Sequence, residues 1–408
     1  HHMQKKQMSK LHLWLLPLAV SFTWYGGQMG SGTASGANHM NYFVRFGWYG
    51  VIFAGVALLF ELWYYYWTME LSRTTGIYKS STFLREVFHP YDKILMPIYD
   101  VLALSAFTVS TGSCMAGCAE VLNSYWSVNY MLSLAIIFVA FMVIAWFGMK
   151  AIRAVGSALT ICMVAIVILV IVVGLPANWD NIVYNWTNRT VGEGPKYGSL
   201  GWAIWYVILF AALQTQVLST IAPACEGMIN KKSDSLKASL VGFICLFITM
   251  VPLSLLLLGR WPGNLNGTSI FLLEAVQNLP AGGLIKILYP ILLVCAFITT
   301  GPNYIFNQTE RWSEAKFWTK ITKEDSFFRK MNVRKFIVMV IYVGISFLLA
   351  VKGFGFVTNT LMPALSYGWL ITLVAFGIAV PVKVCAYRRA LKNGKEIVTA
   401  EQRRASAN

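Results

Sequence analysis

Charge is what this sequence has least of. Only 12% of its 408 residues are charged, where soluble globular chains carry about 25%. So little charge cannot wet the surface of a chain this long. With 57% hydrophobic residues and a mean hydropathy of +0.59, a soluble enzyme, a disordered scaffold and a collagen-like fibre are excluded. Cysteine is also sparse. Cys114, Cys118, Cys162, Cys225, Cys245, Cys295 and Cys385 fall almost entirely in apolar stretches and make no disulfide framework. Cys114 and Cys118 share a helical face, but no His or acid is spaced to complete a metal site with them. No Ser/His/Asp, Cys/His or paired-carboxylate arrangement has catalytic spacing, so the chain reads as a non-enzyme. Repeated charge rings and filter-like segments, which a channel would need, are lacking. So is a small-residue cleavage site after the first apolar stretch, and the leading His1-His2-Met3 reads as a tag remnant.

What is present is long apolar runs. A spanning helix needs about 20 mostly apolar residues. Ten stretches qualify: Leu11–Tyr42, Gly47–Leu71, Ile94–Glu120, Tyr130–Gly148, Val155–Leu175, Leu200–Ile221, Leu240–Leu258, Leu284–Phe306, Phe336–Val351 and Val357–Cys385. The expectation is an all-α polytopic membrane protein with ten transmembrane helices. Ten spans place both termini on one side, and the basic residues say which. Of the 33 Lys and Arg, 27 fall on the face shared with the termini and 6 on the other. By the positive-inside rule both termini are cytoplasmic, in a plasma membrane of bacterial type. The net charge of +16 is spread over these cytoplasmic connections and tails, without a basic stripe interleaved with aromatics. Its partner is therefore the anionic lipid bilayer and not nucleic acid.

Two spans carry signals that ordinary membrane helices lack. Trp24-Tyr25-Gly26-Gly27-Gln28-Met29-Gly30-Ser31-Gly32-Thr33-Ala34-Ser35-Gly36 places five glycines in eleven residues of the first span. Gly32 and Gly36 could form a helix-packing face. The density of glycine among Gln28, Ser31, Thr33 and Ser35 points instead to an unwound segment lining a binding site. In the eighth span, Ala296-Phe297-Ile298-Thr299-Thr300 puts two hydroxyls in mid-helix. They either bond back to carbonyls one turn earlier or join backbone carbonyls as oxygen ligands of a hard cation. Three ionisable residues at membrane depth are candidate proton carriers. Asp100 either snorkels to the cytoplasmic side, pairs with Lys93 or Arg85, or lines an inner pathway. Glu61 reads as a satisfied structural carboxylate facing protein, and His39 as a polar group at the outer mouth. The Trp63–Trp67 run reads as an interfacial aromatic belt, and residues 261–279 as an outer connection containing a short amphipathic helix.

Ten spans, a broken first helix and a Thr-Thr pair in the eighth resemble the LeuT fold. Within the amino acid–polyamine–organocation superfamily, Gly30-Ser31-Gly32-Thr33-Ala34-Ser35-Gly36 followed by Tyr42-Phe43 is similar to the YkvI-like amino-acid permease branch. The chain departs from that branch at Ala37-Asn38-His39, where relatives carry Gln-Glu. The resemblance implies a 5+5 inverted repeat with the first and sixth helices broken, the latter at Phe210-Ala211-Ala212-Leu213-Gln214. The chain then divides into residues 1–10 (tag remnant and cytoplasmic N-terminus), 11–175 (first repeat), 176–199 (extracellular loop), 200–385 (second repeat) and 386–408 (cytoplasmic tail). It further implies a sodium ion held by carbonyls of Gly27, Gly30 and Ala296 with the hydroxyls of Thr299 and Thr300. The solute pocket would comprise Trp24, Tyr25, Gly26, Gly30, Ser31, Gly32, Phe107, Thr108, Phe210 and Gln214. The expected function is secondary active import of a small organic solute, an amino acid or related amine, by sodium symport with alternating access. The alternatives are a proton-coupled transporter of the same fold using His39, Glu61 or Asp100, or a channel or membrane-embedded enzyme.

Overall fold

The structure, a computed structural model, describes residues 10–265, 270–277, 279 and 282–407. The tag remnant and most of the N-terminal segment lie outside the described residues. Every regular element among them is helical. The first span is three pieces: α1 (Leu18–Gln28), α2 (Ser31–Ala34) and α3 (Ala37–Tyr42). Then follow α4 (Trp48–Thr75), α5 (Ser80–Phe88), α6 (Asp92–Trp126), α7 (Tyr130–Trp146), α8 (Met149–Ala177) and α9 (Trp179–Thr187). The second half has α10 (Leu200–Gln214), α11 (Leu218–Cys225), α12 (Lys232–Arg260), α13 (Phe271–Gln277), α14 (Gly282–Ser313) and α15 (Met331–Val351). It ends in α16 (Leu370–Lys392) and α17 (Ala400–Ala407).

Eight helices among the described residues are long and apolar enough to cross a membrane, the α10–α11 rod counting as one. The apolar α7 is shorter, at 17 residues. Caps fix where several begin and end. The Asn129 side chain accepts the amides of Met131 (3.0 Å) and Leu132 (3.2 Å) at the start of α7. Gly76, at φ 68°, stops α4.

Two departures from the sequence reading have local causes. The sixth span is not unwound at Phe210–Gln214. It runs on as a rod that tightens to 3₁₀ geometry at Thr215–Val217, because no Gly or Pro between Trp202 and Ile221 frees the backbone there. Thr215 supports the tightening by donating to the Ala212 carbonyl at 2.6 Å. The tenth span, expected as one rod, is interrupted at residues 366–369, where only i→i−3 backbone bonds remain. Ser366 places its hydroxyl on the Pro363 carbonyl (2.5 Å), taking the acceptor that the next turn would use.

The long helices sort into two packed groups. α6, α7, α14 and α15 form one; α1, α4, α10–α11 and α12 form the other; α8 touches both. The broken first span lies along the seam, with α2 reaching α6 and α14. Trp24 anchors it. Its ring is fully buried, stacked on Tyr65 with centroids 4.0 Å apart, and a Cβ on Gly242 of α12 would stand 2.2 Å from it.

The seat at Gly242 gives a test. Gly242→Ala should destabilise the fold by about 1–3 kcal/mol through overpacking. Gly344→Ala, where a Cβ meets nothing within 4 Å, should leave stability equal or raised, since Ala is the better helix former. Thermal unfolding in detergent compares the two, and equal effects would contradict this packing.

Candidate functional site

The site begins where the first span stops being a helix. α1 closes with the Met29 amide on the Tyr25 carbonyl (2.8 Å). Met29 then turns to ψ 38° and Gly30 to an extended conformation, φ −79° and ψ −164°. These angles carry the next amides out of line with the carbonyls of Gly26 onward. The Gly26 carbonyl finds other partners. It accepts from the Thr300 hydroxyl at 2.8 Å and, at 3.5 Å, from Thr299, whose Oγ1 also donates to the Ala296 carbonyl at 2.8 Å. Two hydroxyls and two carbonyls from α1 and α14 thus converge on one small volume. Oxygens of this kind suit a hard cation. No group of three or more His, Cys, Asp or Glu that could hold a metal exists among the described residues.

Beyond Gly30 the chain resumes as α2 and breaks again at Gly36, φ 87°, a left-handed conformation that suits glycine. A Cβ there would stand 2.9 Å from Leu272 of α13. α13 covers this second break from outside the bundle: the Leu272 amide donates to the Ser35 carbonyl (2.9 Å), and Tyr289 donates to that of Ala34 (2.5 Å). The expected amphipathic helix of the outer connection is α13, with Phe271, Leu272, Leu273, Ala275 and Val276 buried. Residues 266–269, 278 and 280–281 of the surrounding connection lie outside the described residues.

Between the two breaks lies a narrow cavity of about 20 Å³, room for a single water, lined by Gln28, Ser31, Asn38, Ser110, Gln214 and Gln216 among others. Among the described residues its lining holds amides, hydroxyls, Cys114 and Met362, but no charged side chain. A larger cavity of about 200 Å³ opens at the end of the bundle where the basic residues gather, walled by α5, α6, α11 and α14. Asp100 lines it and forms a two-pronged ion pair with Arg311, Nε to Oδ1 at 2.7 Å. Lys79 and Glu314 pair across its rim at 3.0 Å.

No protein-family model and no curated protein matches this sequence. Solved structures do. The backbone superposes on a Na⁺-coupled sialic acid symporter, solved in a substrate-bound outward-open state, with a TM-score of 0.58 at 10% identity over 89% of this chain and 79% of that one. It superposes on the Eremococcus coleocola manganese transporter with a TM-score of 0.57 at 13% identity, over 93% and 80% of the two chains. The fold is the LeuT fold. At such identity the likeness lies in the architecture, and with the long apolar helices it makes the chain a multi-pass membrane protein.

Within this LeuT-fold chain the expected site residues separate. Gly30, Ser31, Gly32 and Gln214 line the cavity at the break, together with Gly27. Trp24 and Tyr25 do not. The first is stacked on Tyr65, and the second bonds to Thr249 at 2.8 Å on the far face of α1. Gly26 faces Thr299 and Thr160, so it belongs with the oxygen cluster and not with the solute pocket. On the first span it is the Gly26 carbonyl, and not that of Gly27, that meets the Thr299 and Thr300 hydroxyls. Gly27 packs on Val217 instead, and Gly30 abuts the Thr300 side chain. Phe107 stacks on Tyr304, itself a cavity residue, with centroids 4.6 Å apart. Thr108 bonds back to Leu104 and faces an apolar groove on the outside of α6 and α15. Phe210 packs edge-on against Phe43 at 4.9 Å.

The candidate proton carriers separate too. Asp100 is engaged with Arg311, 211 residues further along the chain, and not with the expected Lys93 or Arg85. His39 is fully buried against the Thr249 carbonyl (3.4 Å) and not at a mouth. Glu61 is fully buried, and neither of its oxygens has a hydrogen-bond partner among the described residues, so it is not the satisfied carboxylate expected. The aromatic run divides: Trp63 is exposed, Tyr64 donates inward to Ala211 (2.8 Å), and Trp67 lies under the Arg388 guanidinium. Asn38, Ser110, Cys114, Gln216, Tyr304 and Met362 were missed. One signal was available: Ser110 and Cys114 are four residues apart, on one face of α6.

The Asp100–Arg311 pair is mostly withdrawn from water. Arg311→Met should lower stability by about 2–4 kcal/mol, because it leaves a half-buried carboxylate uncompensated. The double variant Asp100→Leu/Arg311→Met should recover most of the loss. Thermal unfolding of the three proteins decides, and additive losses would show that the pair is not coupled.

Proposed function

We propose that this chain is a secondary active transporter that imports a small organic solute, an amino acid or related amine, by sodium symport with alternating access. The observation that carries the reading is the meeting of the Gly26 and Ala296 carbonyls with the Thr299 and Thr300 hydroxyls at the break in the first span. Four neutral oxygens drawn from both helix groups can hold sodium only while those groups are closed on each other, so ion occupancy would favour one arrangement of the seam. The solute would occupy the adjoining cavity once the seam opens to widen it, where the amides freed at Ser31–Thr33 suit a carboxylate and Gln28, Asn38 and Gln214 suit its polar remainder. The Na⁺-coupled neighbour of the same fold is consistent with this, though its solute is a sialic acid.

The finer architecture belongs to the same proposal. It has ten spans in a 5+5 inverted repeat, both termini cytoplasmic in a bacterial plasma membrane, and kinship with the YkvI-like permeases. Residues 11–175 and 200–385 are then the two repeats, joined by an extracellular loop at 176–199. The basic-end cavity becomes the cytoplasmic vestibule. Carrying one positive charge through 100 mV supplies about 2.3 kcal/mol, enough for roughly a 50-fold solute gradient before any sodium gradient is counted.

Thr299→Ala removes one oxygen of the four and should raise the half-saturating sodium concentration about tenfold or more. Thr300→Ser, which keeps its hydroxyl, should stay within a few-fold of wild type. Sodium-dependent thermal stabilisation, with choline chloride as control, measures both without a known solute. An unchanged sodium dependence in Thr299→Ala rejects the ion site. Uptake into liposomes that is indifferent to sodium rejects symport.

A further inference from the structure

Glu61 lies in the middle of α4, 0% exposed, and the oxygen cluster makes no use of it. Gln28 and the indole of Trp24 face it from α1. Both carboxyl oxygens and the Trp24 Nε1 nonetheless lack a hydrogen-bond partner among the described residues. Gln28 instead donates to the Tyr65 hydroxyl at 3.3 Å, and Tyr65 donates on to the Gln214 carbonyl at 3.5 Å. Gln28 and Gln214 both line the cavity at the break. A polar chain therefore runs from Glu61 past Gln28 and Tyr65 to Gln214, joining the first span to the end of α10.

Among the described residues, the groups around Glu61 include no counter-ion. Its ionisable neighbours are the phenols of Tyr64 and Tyr65 on its own helix, with Tyr304 of α14 reaching Tyr65. α10 contributes the Ala211 carbonyl, which Tyr64 occupies. Arg388 of α16 and Arg73 are engaged with Glu70, more than two turns away. No ion pair reaches Glu61 from α11 or α12 among the described residues. An ionised carboxylate left unpaired in such surroundings costs several kcal/mol, whereas a neutral acid costs about 1–3 kcal/mol for its unmade bonds.

We propose that Glu61 is a proton-binding site read out at the cavity through the side chain of Gln28. With Glu61 protonated, Gln28 turns to Tyr65, as in the arrangement described here. Loss of that proton creates a carboxylate that draws the Gln28 amide and the Trp24 N–H onto itself, since hydrogen bonds to a charged acceptor are about twice as strong as neutral ones. Gln28 then presents a different edge to the cavity, and Tyr65 loses its donor. Only a proton moves between Glu61 and water. The inference rests on reading the break as the solute site, but it does not require that the coupling ion be sodium.

Infrared difference spectroscopy of the purified full-length protein tests it without a solute. The wild type at neutral pH should show the carbonyl stretch of a neutral carboxylic acid in apolar surroundings, fading as the pH is raised. Glu61→Gln should lose that band. Gln28→Leu, lacking the amide that would bond the carboxylate, should keep the band to a pH about one unit higher. Absence of the band in the wild type, its persistence in Glu61→Gln, or an unmoved midpoint in Gln28→Leu would overturn the proposal. If Glu61→Gln fails to fold, the Gln28→Leu midpoint decides alone. The same spectra of Thr299→Ala keep the two readings apart: a lost sodium response with the carboxyl band intact speaks only to the ion site.

Discussion

A chain that opens its hydrogen-bond ladder inside a bilayer has to give every freed carbonyl and amide another partner. That constraint organises this molecule. At Met29–Gly30 the first span releases the Gly26 carbonyl, and the fold answers with two hydroxyls from α14. At Ser35–Gly36 it releases the Ala34 and Ser35 carbonyls, and the answers are Tyr289 and the Leu272 amide. Neither set of partners belongs to the first span itself. The break exists only because neighbouring helices are in place to satisfy it, so any rearrangement of those helices has to renegotiate the same bonds.

The glycines let this happen at close quarters. Gly27 lies where a Cβ would stand 2.6 Å from Val217, and Gly30 where one would stand 3.0 Å from the Thr300 methyl. The first span is therefore wedged between the tightened stretch of the sixth span and the eighth, one from each helix group. The stretch before the break is held differently. Trp24, stacked on Tyr65 and seated against Gly242, ties α1 to α4 and α12. The rigid end stays with one group, while the open end touches the other across the seam. A hinge in such a molecule falls naturally at Met29–Gly30, where the fewest backbone bonds resist it.

How much of this could be read from the residues depends on what kind of signal carried it. Five glycines in eleven residues mark a break wherever the helix lies, and the interruption falls at Met29–Gly30, inside that glycine-rich stretch. Thr299 and Thr300 were visible because hydroxyls in mid-membrane need acceptors. Which carbonyl they meet was not, since choosing between Gly26 and Gly27 is a rotation of about 100° that depends on how α1 sits against α14. The same limit misplaced Thr108, which faces outward where Ser110 faces in, and Phe210, which packs on Phe43 while Gln214 reaches the cavity. The interruption at 366–369 was illegible for another reason. It turns on one Ser366 hydroxyl competing for one carbonyl, which composition does not announce.

The unequal treatment of the first and sixth spans bears on how the molecule can move. The sixth has no glycine to unwind and keeps a continuous rod, only tightened at Thr215–Val217. Its polar contribution is thus made by side chains and one carbonyl, through Gln214 and Gln216 at the cavity and Tyr65 on the Gln214 carbonyl. A rod transmits rotation along its length, whereas a broken segment absorbs it. In the arrangement described here, α13 is closed on Ser35 at one end, while a cavity of about 200 Å³ stands open at the other. In the transport cycle proposed above, passing from this state to its opposite would require the Leu272–Ser35 bond to part and α11, which walls the open cavity, to swing inward as one body with α10. The flexible first span would follow that swing by bending at Gly30, and the oxygens of Thr299 and Thr300 would govern when it can.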